Sequence, residues 1–299
     1  MADLLERGSA RDLRVGWGLI LAIAVIDAIL LAVTNFALVW RPELPALVCS
    51  LLLCVLWGVY GRLRSSPRLA GLARTGLMFL LYTNVAAVLS YLVTGLAPGA
   101  LLDDRLAGID RAIGFDWPGL YDWFQASPAL HVAAAMVYAS LGPQVLLLLL
   151  ILSPMGYTHR AREFFLAFAV SSLAVILLAG ALPAAGAFVE YGVAEAHTRP
   201  YVLQYLGLRD GSIRLIDLGQ VQGLVQFPSF HAALAALCVY AVRGIRWLFP
   251  AMAALNLAVI LVTPTVGGHH LIDVLAGLLL AGATVAVLPA LSGTRQDDR

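Results

Sequence analysis

The sequence contains no lysine: all 19 of its basic residues are arginine. A mechanism that forms a Schiff base on lysine, or that uses a lysine amine as its nucleophile, is therefore excluded. Charged residues of any kind are scarce, at 12% of the chain, and the formal net charge is +1. No basic patch indicates a nucleic-acid partner.

Cysteine is also rare, and its three copies lie inside apolar runs. The spacing of Cys49, Cys54 and Cys238 matches neither a disulfide framework nor a structural zinc site. We interpret all three as packing residues. The sequence predicts no cofactor and no bound metal.

Apolar residues make up 61% of the chain, and the mean hydropathy is +0.87. These values predict an all-α polytopic membrane protein. No internal repeat is evident, so we expect one membrane domain over residues 1–299, with a catalytic core at about 160–291. The first apolar run is too long for the core of a cleavable signal. About eight transmembrane helices are expected, at 15–40, 44–60, 72–96, 129–152, 164–188, 229–242, 247–264 and 274–291.

Two polar segments interrupt these runs. Residues 99–128 contain five aspartates and several aromatic residues, which is typical of an amphipathic segment lying in the membrane interface with its tryptophans at headgroup depth. An ordinary structured loop is the alternative. Residues 190–226 form a loop long enough to be functional. Within the spans, we expect a kink at Gly142-Pro143 and a break near Leu182-Pro183.

The arginine distribution predicts the orientation. With the N-terminus inside, 13 arginines lie in inner segments and the remaining 6 of the 19 lie outside. The positive-inside rule then puts both termini in the cytoplasm of a bacterial cell, with the protein integral to the inner membrane. The inner arginines are Arg7, Arg11, Arg14, Arg62, Arg64, Arg68, Arg74, Arg160, Arg162, Arg243, Arg246, Arg295 and Arg299.

Two short polar stretches near the C-terminus carry the candidate chemistry. They are Phe-Pro-Ser-Phe-His at 227–231 and Gly-Gly-His-His-Leu-Ile-Asp at 267–273. If the second stretch begins a helix, His269 and Asp273 share one face. An acid at membrane depth costs about 3 kcal/mol, so it needs a partner. A carboxylate holding one ring nitrogen of His269 leaves the other free as a nucleophile.

His231 belongs to the same site. Two apolar runs separate it from His269, and two membrane crossings return the chain to the face it left. His231, His269 and Asp273 should therefore meet at one membrane surface, and the arginine distribution makes that surface the extracytoplasmic one.

The two stretches resemble the motifs of the type 2 phosphatidic acid phosphatase superfamily. The likeness is greatest to its inositolphosphotransferase branch, which includes inositol phosphorylceramide synthases. The most specific part is His-x-x-x-Asp-Val-Leu-Ala-Gly at 269–277, and Asp-Arg-x-x-Gly-Ile-Asp-Arg-Ala-Ile-Gly at 104–114 is also similar. The motif-bearing likeness covers about 180–280, with looser similarity back to about residue 100.

This resemblance implies an enzyme that acts on a lipid phosphate. His269 would be the nucleophile that becomes phosphorylated, Asp273 would orient it, and His231 would be the acid and later the base. Ser229 and backbone amides would bind phosphate oxygens, and Gly268, with its neighbour Gly267, would let amides approach closely. Membrane lipids are the other expected partner.

The sequence departs from the classical phosphatases of that superfamily at its cations. Thr263 stands where they carry an arginine before the nucleophile, and Gly192 stands where they carry a lysine before an Arg-Pro pair. Arg199-Pro200 retains that pair, which makes Arg199 a candidate phosphate ligand. The missing cations favour the inositolphosphotransferase branch. The other candidates for neutralising the phosphate are Arg209, Arg214 and His270.

Three alternatives stay open. A plain lipid phosphatase, acting on phosphatidate or a polyprenyl pyrophosphate, would use the same histidines with water as the acceptor. A metal could be held by His231, Asp273 and one of His269 and His270. A transporter with an intramembrane His/Asp site is more distant, because the internal repeat and polar midplane residues typical of transport are missing.

Overall fold

The computed structural model of the protein describes residues 2–39, 44–193 and 199–292. Arg41, Arg295 and Arg299 of the arginine count lie outside these residues. Within them the chain is helical except for one two-stranded pairing. The helices are α1 (Ala2–Val33), α2 (Leu44–Gly58), α3 (Pro67–Leu96), α4 (Asp103–Ala112), α5 (Trp117–Gln125), α6 (Pro128–Ala139), α7 (Leu141–Leu152), α8 (Thr158–Ala181), α9 (Ala187–Glu190), α10 (Pro200–Asp210), α11 (Phe230–Ala241), α12 (Phe249–Val266) and α13 (Leu271–Ser292).

Seven segments of the described chain are helical, long and apolar enough to cross a membrane, which confirms an all-α polytopic bundle. They are Arg11–Val33, Pro45–Leu63, Pro67–Leu96, Pro128–Leu152, Thr158–Ala181, Phe249–Val266 and Leu271–Leu291. The expected eighth crossing corresponds to α11, which has only 12 residues. At 1.5 Å per residue it is about 18 Å long, well short of a hydrocarbon core of roughly 30 Å. The chain continues through turns at 242–248 before α12 begins.

Prolines set two of the helix boundaries. The fourth span is divided into α6 and α7 at Ser140, just before the predicted kink, because Pro143 has no N–H to donate to the carbonyl of residue 139. Helix α8 ends at Ala181, as expected from Leu182-Pro183, since the residue before a proline is disfavoured in a helix. It begins at Thr158, earlier than the predicted span.

Helices α3 and α8 form the centre of the bundle. The ring of Phe79 lies 5.7, 5.1 and 5.1 Å from the rings of Phe164, Phe165 and Phe168. Farther along the same pair of helices, a Cβ on Gly180 would lie 2.4 Å from Val93 Cγ1. Because lipid tails are as apolar as leucine, such close packing, rather than the hydrophobic effect, is what associates membrane helices.

Charged residues gather at one end of the bundle. Glu163 at the start of α8 accepts hydrogen bonds from Arg243 (2.7 Å) and from the Tyr240 hydroxyl (2.8 Å). Arg162 lies 3.8 Å from Asp12 of α1. This end therefore joins α1, α8 and the turn after α11, and the motif stretches lie at the opposite end of α8 and α11.

The opposite end is covered by loops and short helices. Strand β1 (Ala37–Leu38), after α1, pairs in parallel with β2 (Leu215–Ile216) of the long loop, and α10 packs against α3. Residues 194–198 of that loop lie outside the described residues. The segment 99–128 forms α4 and α5. Its two tryptophans differ from the prediction: Trp123 is 61% exposed, as an interfacial residue would be, whereas Trp117 is buried at 1%.

Candidate active site

The starts of α11 and α13 are bonded directly to each other. Ser229 is the N-cap of α11, and its amide donates to the carbonyl of Asp273 in the first turn of α13 (3.0 Å). A Cβ on Gly277 would lie 2.2 Å from the Ser229 carbonyl oxygen. Only glycine permits this crossing, so Gly277 brings the two motif-bearing helix ends together.

His269 is buried beside both motifs. Its Nδ1 lies 3.4 Å from Asp273 Oδ2, and its Nε2 lies 3.3 Å from the Ser229 hydroxyl. Burial lowers the pKa of His269 to about 3, so the imidazole is neutral. A neutral ring with one nitrogen facing a carboxylate has its other nitrogen, here Nε2, available as a nucleophile.

His231 approaches from the first turn of α11. Its ring stacks on Tyr138 of α6, with a centroid distance of 4.3 Å and an interplanar angle of 18°. The centroids of the His231 and His269 rings are 6.4 Å apart. The structure thus brings together His231, His269 and Asp273, the three residues predicted to meet, although α11 is shorter than a full crossing.

A cavity of about 460 Å³ opens in front of the two histidines. Arg199, Tyr201 and Gln226 line it from the long loop, and Thr83, Ala86, Ala87 and Ser90 of α3 line it from the membrane side. The Arg199 guanidinium lies 4.0 Å from the centroid of the Phe188 ring. Arg199 is the only described lining residue that carries a permanent charge.

The other two candidate arginines are engaged elsewhere. Arg209 donates to the carbonyl of Ala97, and the guanidinium of Arg214 lies 4.6 Å from the centroid of the Phe36 ring. Neither lines the cavity. Of the three candidate arginines, Arg199 alone lines the cavity.

The two glycines before His269 have different surroundings. Gly267 lines the cavity, whereas Gly268 lies behind it, with φ +67° and a carbonyl that accepts from the Ala187 amide (2.7 Å). A Cβ on Gly268 would lie 2.3 Å from the Phe188 ring. Gly268 thus allows close packing behind His269, and Gly267 is the glycine that faces the cavity.

His270 is fully buried and does not line the cavity. Its Nε2 lies 3.4 Å from Asp103 Oδ1, and its Nδ1 lies 3.9 Å from Asp110 Oδ2. The expectation that His270 neutralises the substrate phosphate therefore has no support in its position.

Asp103, Asp110 and Trp117 border the site. Their sequence positions predicted only an interfacial segment, outside the expected catalytic core. Trp117 Nε1 donates to the carbonyls of Pro264 and His269 (3.1 Å each), and the two aspartates adjoin His270. The available signal was the Asp-Arg-x-x-Gly-Ile-Asp pattern at 104–110. Tyr138 lies in an apolar run that carried no such signal.

Within the described residues, no group of three or more histidine, cysteine, aspartate or glutamate side chains is placed to hold a metal ion.

Comparison with known proteins identifies the family. The family model described as PAP2 superfamily matches residues 104–287, more than half of the 299-residue chain. That range includes α4, both motif stretches and Gly277. No curated protein and no solved structure matches the chain. The extent of the family match shows that the chain belongs to the PAP2 superfamily, which is the type 2 phosphatidic acid phosphatase superfamily that its motifs resemble.

Proposed function

We propose that this protein transfers the phosphoryl-containing group of a membrane lipid through a phosphohistidine at His269. Membership of the superfamily supports a lipid phosphatase or phosphotransferase. The observation that carries the proposal is the pairing of His231 and His269 across one cavity, with Asp273 behind the second ring. An in-line displacement needs such groups on opposite sides of phosphorus.

In the first step, His269 Nε2 attacks phosphorus and the bond from phosphorus to the leaving oxygen breaks. His231 in its protonated form gives its proton to that oxygen, and Asp273 compensates the positive charge on the His269 ring. The Ser229 hydroxyl, 3.3 Å from Nε2, is placed to donate to a phosphate oxygen.

In the second step, an acceptor hydroxyl loses its proton to His231 and attacks the phosphohistidine. The phosphorus–nitrogen bond breaks, and His269 returns to its neutral form. Water as the acceptor makes the enzyme a phosphatase, and an alcohol as the acceptor, either an inositol-type hydroxyl or a second lipid alcohol, makes it a phosphotransferase.

The charge of the cavity favours a phosphodiester substrate. A phosphomonoester carries about 1.5 to 2 negative charges at neutral pH, whereas a diester carries one. Arg199 supplies the one permanent positive charge of the lining, and the proton that His231 carries in the first step leaves with the leaving oxygen; Tyr201 and Gln226 are uncharged. This balance supports inositolphosphotransferase-like chemistry over a plain phosphatase, which is the second candidate.

The walls of the cavity favour a lipid. Its α3 side consists of Tyr82 and of the small side chains Thr83, Ala86, Ala87 and Ser90. A second, largely apolar groove of about 660 Å³ lies between α2, α3 and α7 and shares Thr83 with the cavity. An apolar lining therefore continues from the histidines along α3, as a hydrocarbon chain attached to the phosphate would require.

The site is proposed to open away from the cytoplasm. It lies at the end of the bundle opposite the cluster formed by Arg162, Glu163 and Arg243. The positive-inside rule assigns that arginine-rich end to the cytoplasm.

Product analysis tests the function directly. Purified protein is incubated with radiolabelled phosphatidate, a polyprenyl pyrophosphate or a phosphoinositol lipid, with and without a second lipid alcohol. Transfer of phosphoinositol to the alcohol would support the phosphotransferase. Release of inorganic phosphate from the first two substrates alone would establish the phosphatase instead. Turnover that persists in the His269→Ala protein would contradict both.

A further inference from the structure

The surroundings of His270 are strongly acidic. Asp103 and Asp110, both from α4, lie 3.4 and 3.9 Å from its two ring nitrogens. All three residues are at most 3% exposed. Removing a carboxylate from water costs several kcal/mol even after relaxation, so a positive charge on the ring that both carboxylates face would stabilise them.

Backbone amides hold both carboxyl groups in place. The two oxygens of Asp103 accept the amides of Ala185 and Gly186 (2.8 and 2.7 Å). The two oxygens of Asp110 accept the amides of Leu271 and Ile272 (2.7 and 2.9 Å). The four oxygens that surround the His270 ring are therefore fixed by three separate segments of the chain: α4, the loop after α8 and the start of α13.

We propose that His270 is a positioning residue for the reaction at His269: as an imidazolium between Asp103 and Asp110, it fixes the segment that carries the nucleophile against α4. We call these three residues the His270 clamp. The inference rests on the proposed reaction at His269.

The contacts of the clamp extend on both sides of the nucleophile. On one side, the His270 amide donates to Asp273 Oδ2 (2.8 Å), the same oxygen that faces His269 Nδ1. On the other, the loop held by Asp103 returns to the nucleophile segment through the bond from Ala187 to the Gly268 carbonyl. Weakening the clamp should therefore displace the His269–Asp273 pair.

Neighbouring histidines need opposite charge states in this arrangement. Burial lowers the pKa of His270, but the hydrogen bond to Asp103 and the charges of Asp273, Asp103 and Asp110 outweigh it, and the net effect raises that pKa. Burial lowers the pKa of His269. The titratable groups around His270 are Asp103 and Asp110 of α4, Asp273 of α13, Glu190 of α9, and the adjacent Tyr191 and His269.

The sign of the pH dependence follows from these directions. The contribution of His270 is fully present below its unfolded pKa of about 6.5 and is lost as pH rises through its raised folded pKa. The unfolded chain protonates His269 below about 6.5 while the native state does not, so stability falls there as pH drops. Activity should therefore decrease at the alkaline end of its pH profile as His270 loses its positive charge. We call this decrease the alkaline limb.

Two substitutions at His270 separate charge from shape. In His270→Gln, which removes the charge, kcat should fall about 10- to 100-fold, as is typical when a supporting partner of a reacting group is lost. KM should stay within about threefold, because His270 does not line the cavity. His270→Lys should restore much of kcat and should lack the alkaline limb near neutrality, since the lysine amine has an ordinary pKa of about 10.4. Asp104→Asn is the matched control, because Asp104 is an exposed neighbour of Asp103.

The overturning results are equally specific. A folded His270→Gln protein with wild-type kcat and pH profile would refute the clamp, as would a His270→Lys protein no more active than His270→Gln. If neither variant folds, Asp110→Asn replaces them. The loss of one carboxylate should move the alkaline limb to lower pH, and an unmoved limb in that protein would refute the proposal.

A ring titration distinguishes this inference from the proposed function. The chain has six histidines, so nitrogen-15 histidine spectra of the protein in detergent contain few ring signals. One ring should titrate above the ordinary histidine pKa of about 6.5, and Asp110→Asn should lower its midpoint. If wild-type His269 traps no phosphate, the proposed function fails while this titration still decides the clamp. Six rings that all titrate at or below the ordinary value would overturn the clamp.

Discussion

At the scale of single residues, the two histidines of the site differ in their neighbouring groups. His269 has Asp273 on one nitrogen and Ser229 near the other, whereas His231 is stacked on the ring of Tyr138 with no carboxylate in contact among the described residues. A nucleophile benefits from a partner that compensates its charge after attack. A proton carrier must give and take a proton within one cycle. These needs support the assigned roles.

The different roles of His231, His269 and Asp273 predict that variants at these positions differ in how much phosphohistidine they form and how long it persists. With a substrate that carries a good leaving group, His231→Ala should still form the phosphohistidine, and the intermediate should persist because nothing activates the acceptor. His269→Ala should form none, and Asp273→Asn should form it slowly. The measurement is trapping of acid-labile, base-stable phosphate on each purified variant. Phosphate trapped on His269→Ala but never on His231→Ala would mean that the roles are reversed.

Arg199 should act on binding. A hydrogen bond to a charged group contributes about 1.5 to 3 kcal/mol, so Arg199→Gln should raise KM for the lipid substrate about 10-fold or more. Arg199→Lys should be intermediate, because it keeps the charge but loses the planar fork. Arg105→Gln, which removes an exposed arginine of α4, is the control and should leave KM unchanged. An unchanged KM in Arg199→Gln would remove Arg199 from the site.

At the scale of elements, the site depends on the contact between the first turns of α11 and α13. The close approach of the Ser229 carbonyl to Gly277 couples the two motifs. Pattern alone indicated that both stretches begin helices. The distance between those helices was decided by Gly277, one turn beyond Asp273.

Two glycines of α13 provide a matched test of this contact. A Cβ on Gly277 would lie 2.2 Å from a carbonyl oxygen, whereas a Cβ on Gly282 would meet nothing within 4 Å. Gly277→Ala should destabilise the protein by about 1 to 3 kcal/mol through overpacking and should reduce turnover at least 10-fold. Gly282→Ala should be neutral or should stabilise the helix by up to about 1 kcal/mol. Thermal melting and turnover in detergent measure both effects, and equal behaviour of the two variants would contradict the crossing.

At the scale of the whole molecule, charge is segregated along the bundle. The Glu163 cluster, with Arg162 and Arg243, marks one end, and the cavity lies at the other, beneath the loop that contains α10.

Labelling of intact cells checks the orientation. In a protein whose three native cysteines are replaced, Ser212→Cys in the long loop should react with an impermeant thiol reagent added outside. Arg246→Cys, in the turn between α11 and α12, should react only after the membrane is permeabilised. The two positions are exposed in the structure, so accessibility within the protein does not confuse the result. The reverse labelling pattern would put the active site in the cytoplasm.

The sequence by itself determined the membrane class, the number of long spans to within one, and the meeting of His231, His269 and Asp273. Those conclusions depend on composition and on the number of membrane crossings, and both can be counted from the apolar runs of the sequence. Only the tertiary structure decided that α11 is short, that Trp117 is buried, that Arg199 rather than Arg209 or Arg214 faces the cavity, and that His270 faces away from it. These outcomes depend on which side chains of distant segments come into contact. Asp110 is the clearest case: it lies 161 and 162 residues from Leu271 and Ile272 in the chain, and their amides became its partners only when α4 packed against the start of α13.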